Sequence, residues 1–380
     1  MKYILFILFI FLIASCKEQD ANNPPTNDYS RIINSLPENH SDCISNQEII
    51  NQLALNTQRC NWLSNYNLFS DLSSSSIIPK NNIFQYFLNS ELFTDFSNKK
   101  RFIFIPENKQ IDFSYTGNFV FPVGSVLIKT FSLTGNNRDQ LKEIRLGIKK
   151  ESGWIFIPYI WVEEKQDAFF YREGIKLQSL VDIESMPTIF TYEVPSSQNC
   201  LECHRNEYEE DIITFRPIGP KARHLNRNIS INGEMVNQLT HWKEKGYITQ
   251  LPNDLETIDT APNWRDSTSD IQDRAKAYLD INCAHCHSEG GTAALSGLRL
   301  EYWRKSISHS HGVCNSSHGW RGGGFDIWPG QGEISSIPIR MRHTAAKDRM
   351  PPIGRSLIDE EAAQLIIDWI DTLPYQECVK

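Results

Sequence analysis

Apolar positions along the chain change their rhythm near residue 195. From about 47 to 195 they fall in short extended runs. Arg101-Phe-Ile-Phe-Ile105 is a compact apolar stretch, and Ile144-Arg-Leu-Gly-Ile148 alternates with period two. Trp154-Ile-Phe-Ile157 and Tyr159-Ile-Trp-Val162 are aromatic and β-branched, and Ala168-Phe-Phe-Tyr-Arg172 follows. Asn118-Phe-Val-Phe121 and Ser125-Val-Leu-Ile-Lys-Thr-Phe131 flank a Pro122-Val-Gly124 turn. Such runs at short spacing predict an antiparallel sheet domain. Residues 83–87 read as a short helix or turn. The many aromatics read as core, and a carbohydrate-binding face is the sharper alternative.

After residue 198 the spacing becomes helical. Val236, Leu239 and Trp242 fit one face of a helix stopped by Gly246, and Ala275, Tyr278 and Leu279 fit one face of a helix over 271–281. The clearest helix spans 359–373. Asp359 caps it, Glu360 and Glu361 sit in its positive first turn, and Pro374 stops it. Ala362, Leu365, Ile366, Trp369, Ile370 and Leu373 form its apolar stripe. The expected fold class is α+β and multidomain: an antiparallel β-rich domain over 41–195, then mainly α-helical modules over 196–262 and 263–380.

The N-terminus bears on compartment. Met1-Lys2 precedes an apolar run, 3–13, and then Ala14-Ser15-Cys16. One basic residue, a short apolar region and small residues describe a secretory signal over 1–15. The run is too short to span a bilayer. Ile13-Ala14-Ser15-Cys16 resembles a bacterial lipobox, which implies cleavage before Cys16 and lipid on its thiol; an uncleaved anchor is the alternative. Residues 16–40, rich in Asn, Pro, Asp and Ser, read as a flexible tether. Lys17, where Asp would favour retention at the inner membrane, points to the periplasmic side of the outer membrane or the cell surface. The formal net charge is −8, and loss of Lys2 makes it one unit more negative. That acidity argues against nucleic acid as a partner; the implied contacts are a membrane, through the lipid, and a partner protein.

Two pentapeptides carry the candidate chemistry: Cys200-Leu-Glu-Cys203-His204 and Cys283-Ala-His-Cys286-His287. Cys-x-x-Cys-His is the attachment signature of c-type haem, and the chain's composition yields only about 0.006 such pentapeptides by chance. Two thiols at that spacing add to the two vinyl groups of one porphyrin, and the adjacent His ligates the iron. A zinc ribbon also uses paired Cys-x-x-Cys knuckles, but Cys203 and Cys283 lie far apart for one, and each pair here is followed at once by His. The expected cofactors are two covalently bound c-type haems.

Cysteine arithmetic agrees. Of nine cysteines, one takes lipid and four take haem. Cys43, Cys60, Cys314 and Cys378 remain, an even number in an oxidising compartment, with Cys43–Cys60 the local pair and Cys314–Cys378 the other.

The segment from Asp280-Ile-Asn-Cys283 through Arg349-Met350-Pro351-Pro352 to the helix at Trp369 resembles a cytochrome c domain. The resemblance implies His287 and Met350 as axial ligands, with Met341 the nearest competitor. For the first motif His204 is proximal; the distal position falls to Met235, His224, His241 or Met186, or stays open. His309, His311, Cys314 and His318, near Gly322-Gly-Gly324, form a His-rich loop that reads either as solvated or as a metal site.

More widely, the chain resembles a bacterial family of exported diheme c-type cytochromes. The likeness rests on Trp62-Leu-Ser-Asn-Tyr-Asn-Leu-Phe69, Lys100-Arg-Phe102, Phe121-Pro-Val-Gly-Ser-Val-Leu-Ile-Lys-Thr-Phe131, Glu143-Ile-Arg145 and Pro195-Ser196. It continues in Gly219-Pro-Lys-Ala-Arg-His-Leu-Asn226, Arg274-Ala-Lys-Ala-Tyr-Leu279, Pro329-Gly330, Ser335-Ser-Ile337, Arg340, Met350-Pro-Pro352 and Trp369-Ile370. Similar segments occur fused to quinoprotein sugar dehydrogenases. The resemblance implies an electron carrier between a redox partner, a dehydrogenase or another exported cytochrome, and an acceptor. The enzymatic alternative is a diheme peroxidase-like protein with one open iron, for which His224, His241 and Glu202 are acid/base candidates. A third reading is a surface protein whose β-domain holds a polymer.

Overall fold

The computed structural model describes residues 29–44, 49–207 and 213–379. The signal segment and Cys16 lie outside the described residues.

The centre is a six-stranded antiparallel meander: Ile83–Gln85, Asn98–Phe104, Val126–Gly135, Arg138–Lys150, Gly153–Val162 and Asp167–Phe170, paired in that order. Period-two alternation loads both faces. Phe102, Phe104, Ile144, Leu146, Ile148 and Ile157 face a layer holding Leu55, Leu63, Tyr66 and the Cys43–Cys60 disulfide. Ile103, Leu127, Trp154 and Phe156 alternate to the other face, where Ala222, Leu225, Leu239, Trp242 and Ile281 cover them. A two-stranded hairpin, Ile175–Ile183 with Met186–Val194, packs Leu177, Val181, Phe190 and Tyr192 on Leu133, Ile160 and Phe169.

Several expectations need correction. Residues 83–87 are neither helix nor turn: Ile83–Gln85 is an edge strand paired with Phe102–Phe104. Asn118–Phe121 forms only a bridge, Val120 to Asp112. The two runs after residue 153 are one strand through Pro158, which the next strand pairs only from Tyr159 on.

The larger correction concerns fold class. The mainly helical cytochrome c-type modules expected after residue 195 are absent: strand makes up 28% of the chain and helix 25%. Between 196 and 262 the described chain forms two hairpins, Arg205–Glu207 with Ile213–Phe215 and Asn228–Ile231 with Glu234–Asn237, and short helices. Beyond 262 only Ile271–Asn282 and Glu360–Thr372 reach twelve residues. They pack around Tyr278, Leu279, Ile366, Trp369 and Ile370. Residues 283–335 contain only single 3-10 turns and isolated bridges, with Cys314 tied to Cys378. This stretch is rich in Gly, Ser and His, which carry poor helix propensity, and a disulfide holds it instead.

Candidate cofactor site

The first Cys-x-x-Cys-His lies in the helix Ser197–His204. Ser196 starts it: its Oγ accepts from the Asn199 amide at 3.1 Å, and Asn199 Oδ1 accepts from the Ser196 amide at 3.2 Å, a reciprocal cap. Helical spacing then sets Cys200, Cys203 and His204 on one face. All three line a cleft between the meander and the chain after residue 195. The His204 ring stacks on Phe156, centroids 3.5 Å apart and planes within 16°. Phe156 lies across Gly147, where a Cβ would meet its ring at 3.0 Å. His204 Nδ1–H donates to the Arg216 carbonyl at 2.8 Å. That bond fixes the tautomer and leaves the Nε2 lone pair free. Burial pushes the ring down to about 3, so it stays neutral.

The second motif follows the helix Ile271–Asn282. Its turn closes through the His287 amide on the Cys283 carbonyl at 2.9 Å. Gly291 is required here, because a Cβ would lie 2.3 Å from the Cys286 carbonyl oxygen. His287 Nδ1–H donates to Ser296 Oγ at 2.9 Å, and that hydroxyl donates onward to the Ala293 carbonyl at 2.7 Å. Burial pushes His287 down to about 4. The two histidines thus share one arrangement: Nδ1 tied to an oxygen, Nε2 free.

The motifs meet. The Cys203 and Cys286 thiols lie against each other, which raises the first and lowers the second. Thr292 Oγ1 donates to the Glu202 carbonyl at 3.0 Å, and Arg216 reaches Ser288 Oγ at 3.3 Å. Burial raises the outer thiols, Cys200 to about 11 and Cys283 to about 12.

Among the described residues Arg101, Lys129, Arg145, Lys221 and Arg355 line the cleft, and no Asp or Glu does; Arg101, Arg145 and Lys221 are paired with Glu91, Glu143 and Asp280 outside the lining. Burial, with Arg101, Lys99 and Arg145 nearby, holds Lys129 well below its usual range. An apolar cleft edged by cations suits a flat ligand bearing carboxylates.

Met350 and Met341 separate. Met341 is buried in the core with Trp369. Met350 is half-buried on a loop tied to the helix Ser336–Arg342: its amide donates to the Arg340 carbonyl at 2.9 Å, and its carbonyl accepts from Arg355 at 2.9 and 3.2 Å. The Arg340 charge is one of the cations depressing His287. Sequence reasoning passed over Arg355, which is buried and reaches four backbone carbonyls, at Leu357, Arg340, His343 and Met350. An isolated Arg in a polar loop gives no periodic signal.

The remaining candidates scatter. Met235 and Met186 are 66% and 64% exposed, and His241 does not line the cleft. His224 does, at 1% exposure. Of the acid/base trio, Glu202 is exposed and only His224 reaches the cleft. In the His-rich loop His309 is exposed and His311 buried. Among the described residues no group of three or more His, Cys, Asp and Glu side chains is arranged to hold a bare metal ion. No helix among them is long and apolar enough to cross a membrane. No protein-family model, curated protein or solved structure matches the chain.

Proposed function

We propose that this chain is an exported diheme c-type electron-transfer protein, anchored by lipid on Cys16, that passes electrons between a redox enzyme and an acceptor. The carrying observation is the shared state of His204 and His287. Each follows a Cys-x-x-Cys pair, each is buried and neutral, and each has Nδ1 committed to an oxygen with Nε2 left free. Ligating histidines take this second-sphere arrangement, because it fixes ring orientation and raises basicity at the other nitrogen.

The donor set fits two haems. Cys200 and Cys203 would hold one and Cys283 and Cys286 the other, with His204 and His287 as proximal ligands and Met350 as distal ligand of the second. Arg355 in the lining suits a propionate, and the apolar side chains beside it suit a macrocycle. When bound, the irons supply one-electron chemistry; the chain orients them, keeps their histidines neutral and excludes water. Contact between Cys203 and Cys286 favours electron transfer over two independent sites, since the two attachment motifs meet in the fold. The attachment chemistry depends on the local pentapeptide, so it does not need helical modules around it.

The test is to express the full chain in a host with haem-maturation machinery and to weigh the purified protein. Two covalent haems, reducible and reoxidisable without turnover, are the expected result. A chain with no covalent haem, or one carrying zinc on these cysteines, overturns the proposal.

A further inference from the structure

The cleft lined by the first motif also holds a histidine, His224, with a carboxylate fixed behind its ring. His224 follows Gly219-Pro-Lys-Ala-Arg, in the short helix Ala222–Leu225. Its Nε2–H donates to Asp280 Oδ2 at 2.7 Å. Its Nδ1 is buried and has no hydrogen-bond partner. A buried imidazole nitrogen with a free lone pair is a costly feature unless something electron-poor meets it.

The surroundings are arranged to hold that state. Asp280 is fully buried and is gripped by Arg223 through two bonds, at 3.0 and 2.7 Å. Lys221 lies 3.6 Å away, and the Tyr302 amide donates to Oδ1 at 3.0 Å. Burial works against the Asp280 charge, but Lys221, Arg223 and the His224 bond outweigh it and keep the carboxyl well below its usual range. The imidazole is oriented by a carboxylate and lines the same cleft as Cys200, Cys203 and His204.

We propose that His224 is the distal axial ligand of the first haem, bound through Nδ1 with Asp280 as its positioning residue. This rests on the two-haem reading above. It makes the first iron bis-histidine and closed, and leaves the second as the His/Met centre. The two irons then differ in potential, with the first lower, because thioether sulfur favours the reduced state and imidazole does not. A closed first iron also removes the open coordination position that peroxidase chemistry needs. His285 is the competitor: it lines the cleft and its Nδ1 is also unpartnered. It is only half-buried, whereas His224 is fully buried and bonded to a buried carboxylate.

The experiment uses the full haem-loaded chain. Mass counts the haems, and paramagnetic resonance with near-infrared magnetic circular dichroism reads the axial pairs. The expected wild-type result is two low-spin haems, one bis-histidine and one His/Met. His224→Ala should turn one haem high-spin with the haem count unchanged, and added imidazole should restore it. His224→Met should keep it low-spin and raise its potential, while His241→Ala leaves both spectra intact. A wild-type protein with two haems but a high-spin iron, or with two His/Met signatures, overturns the assignment without touching the two-haem reading. So does a spectral change confined to His285→Ala. If His224→Ala does not fold, the wild-type axial signatures decide alone. Absence of covalent haem overturns the reading beneath it, and the mass reports that separately.

Discussion

Cys203 and Cys286, one from each Cys-x-x-Cys-His, lie side by side although 82 residues lie between them in sequence. Their contact raises the Cys203 thiol and lowers the Cys286 thiol. Two thiols side by side close to a disulfide once an oxidant removes two electrons, and the oxidising compartment expected for an exported chain supplies one. A chain exported without haem attachment should therefore trap a Cys203–Cys286 disulfide, alongside Cys43–Cys60 and Cys314–Cys378. Non-reducing peptide mass mapping checks this. A Cys200–Cys203 link instead would mean that the motifs do not meet before haem arrives.

Ser296 offers a local control of the second site. Its hydroxyl is the oxygen that receives His287 Nδ1–H, and nothing else in the second motif does so. In Ser296→Ala a half-buried donor is left unpaired, at a cost of about 1–3 kcal/mol. The imidazole becomes less basic at Nε2, so the second haem's potential should rise while the first stays in place. Spectroelectrochemistry of the two resolved waves reads both. Equal movement of both waves would argue for a general loosening.

How much of this was visible in the chain follows from the range of each interaction. Adjacent chemistry was plain: the two pentapeptides, the cap and stripe of the last helix, and the pairing left over among the cysteines. The hairpin Ile175–Ile183 with Met186–Val194 went unseen because its turn residues, Glu184 and Ser185, take positive φ without the Gly or Asn that signals such a turn. The strand Ile83–Gln85 owes its state to Phe102–Phe104, not to its own propensity. The helical modules were inferred from motif order, and order does not fix what fills 283–335. His224 was one name among four, since its partner Asp280 lies 56 residues on and only folding joins them.

Acid should separate haem-free from haem-loaded protein. Burial lowers His204 to about 3 and His287 to about 4 in the folded chain, against about 6.5 unfolded. A depressed folded value means that the unfolded state takes the proton first. Stability is then full above about 6.5 and falls with pH until the folded values are passed, by about 2 kcal/mol per histidine at pH 5. Iron on Nε2 blocks that protonation. Thermal melts at pH 7 and pH 5 should show a large acid loss in haem-free protein and a much smaller one in the loaded form. Equal losses would mean that these rings do not carry the metal.

Gly291 tests whether the second motif's turn is as tight as it looks. A Cβ there would sit 2.3 Å from a backbone oxygen of Cys286, and that oxygen also accepts the Ala293 amide at 3.0 Å. Backbone cannot yield as a side-chain tip can, so Gly291→Ala must displace Cys286 or break the turn. Attachment at the second site should fall steeply while the first, built on its own capped helix, still loads. Intact mass should then show chains one haem short, with the remaining haem on the Cys200–Cys203 peptide. Full loading at both sites would show that the turn relaxes before attachment.

The Cys314–Cys378 bridge should matter most for the region that supports the second motif. It closes a span of 64 residues that includes the Met350 loop and the last helix, and it ties that span to the bridge between Val313 and Ile327. Chain-entropy reasoning assigns about 4 kcal/mol to a loop of that length. The Cys43–Cys60 bridge closes only 17 residues, on the far face of the meander. Replacing Cys314 and Cys378 by Ala should lower denaturant resistance by about that amount. It should also weaken low-spin ligation at the second haem selectively, because the Met350 loop gains freedom. Replacing Cys43 and Cys60 should destabilise the β-layer and leave the second haem's spectrum unchanged. Spectra recorded through the unfolding transition distinguish the two. If the Cys43 and Cys60 replacement were the one to release Met350, the support assigned to the C-terminal bridge would be wrong.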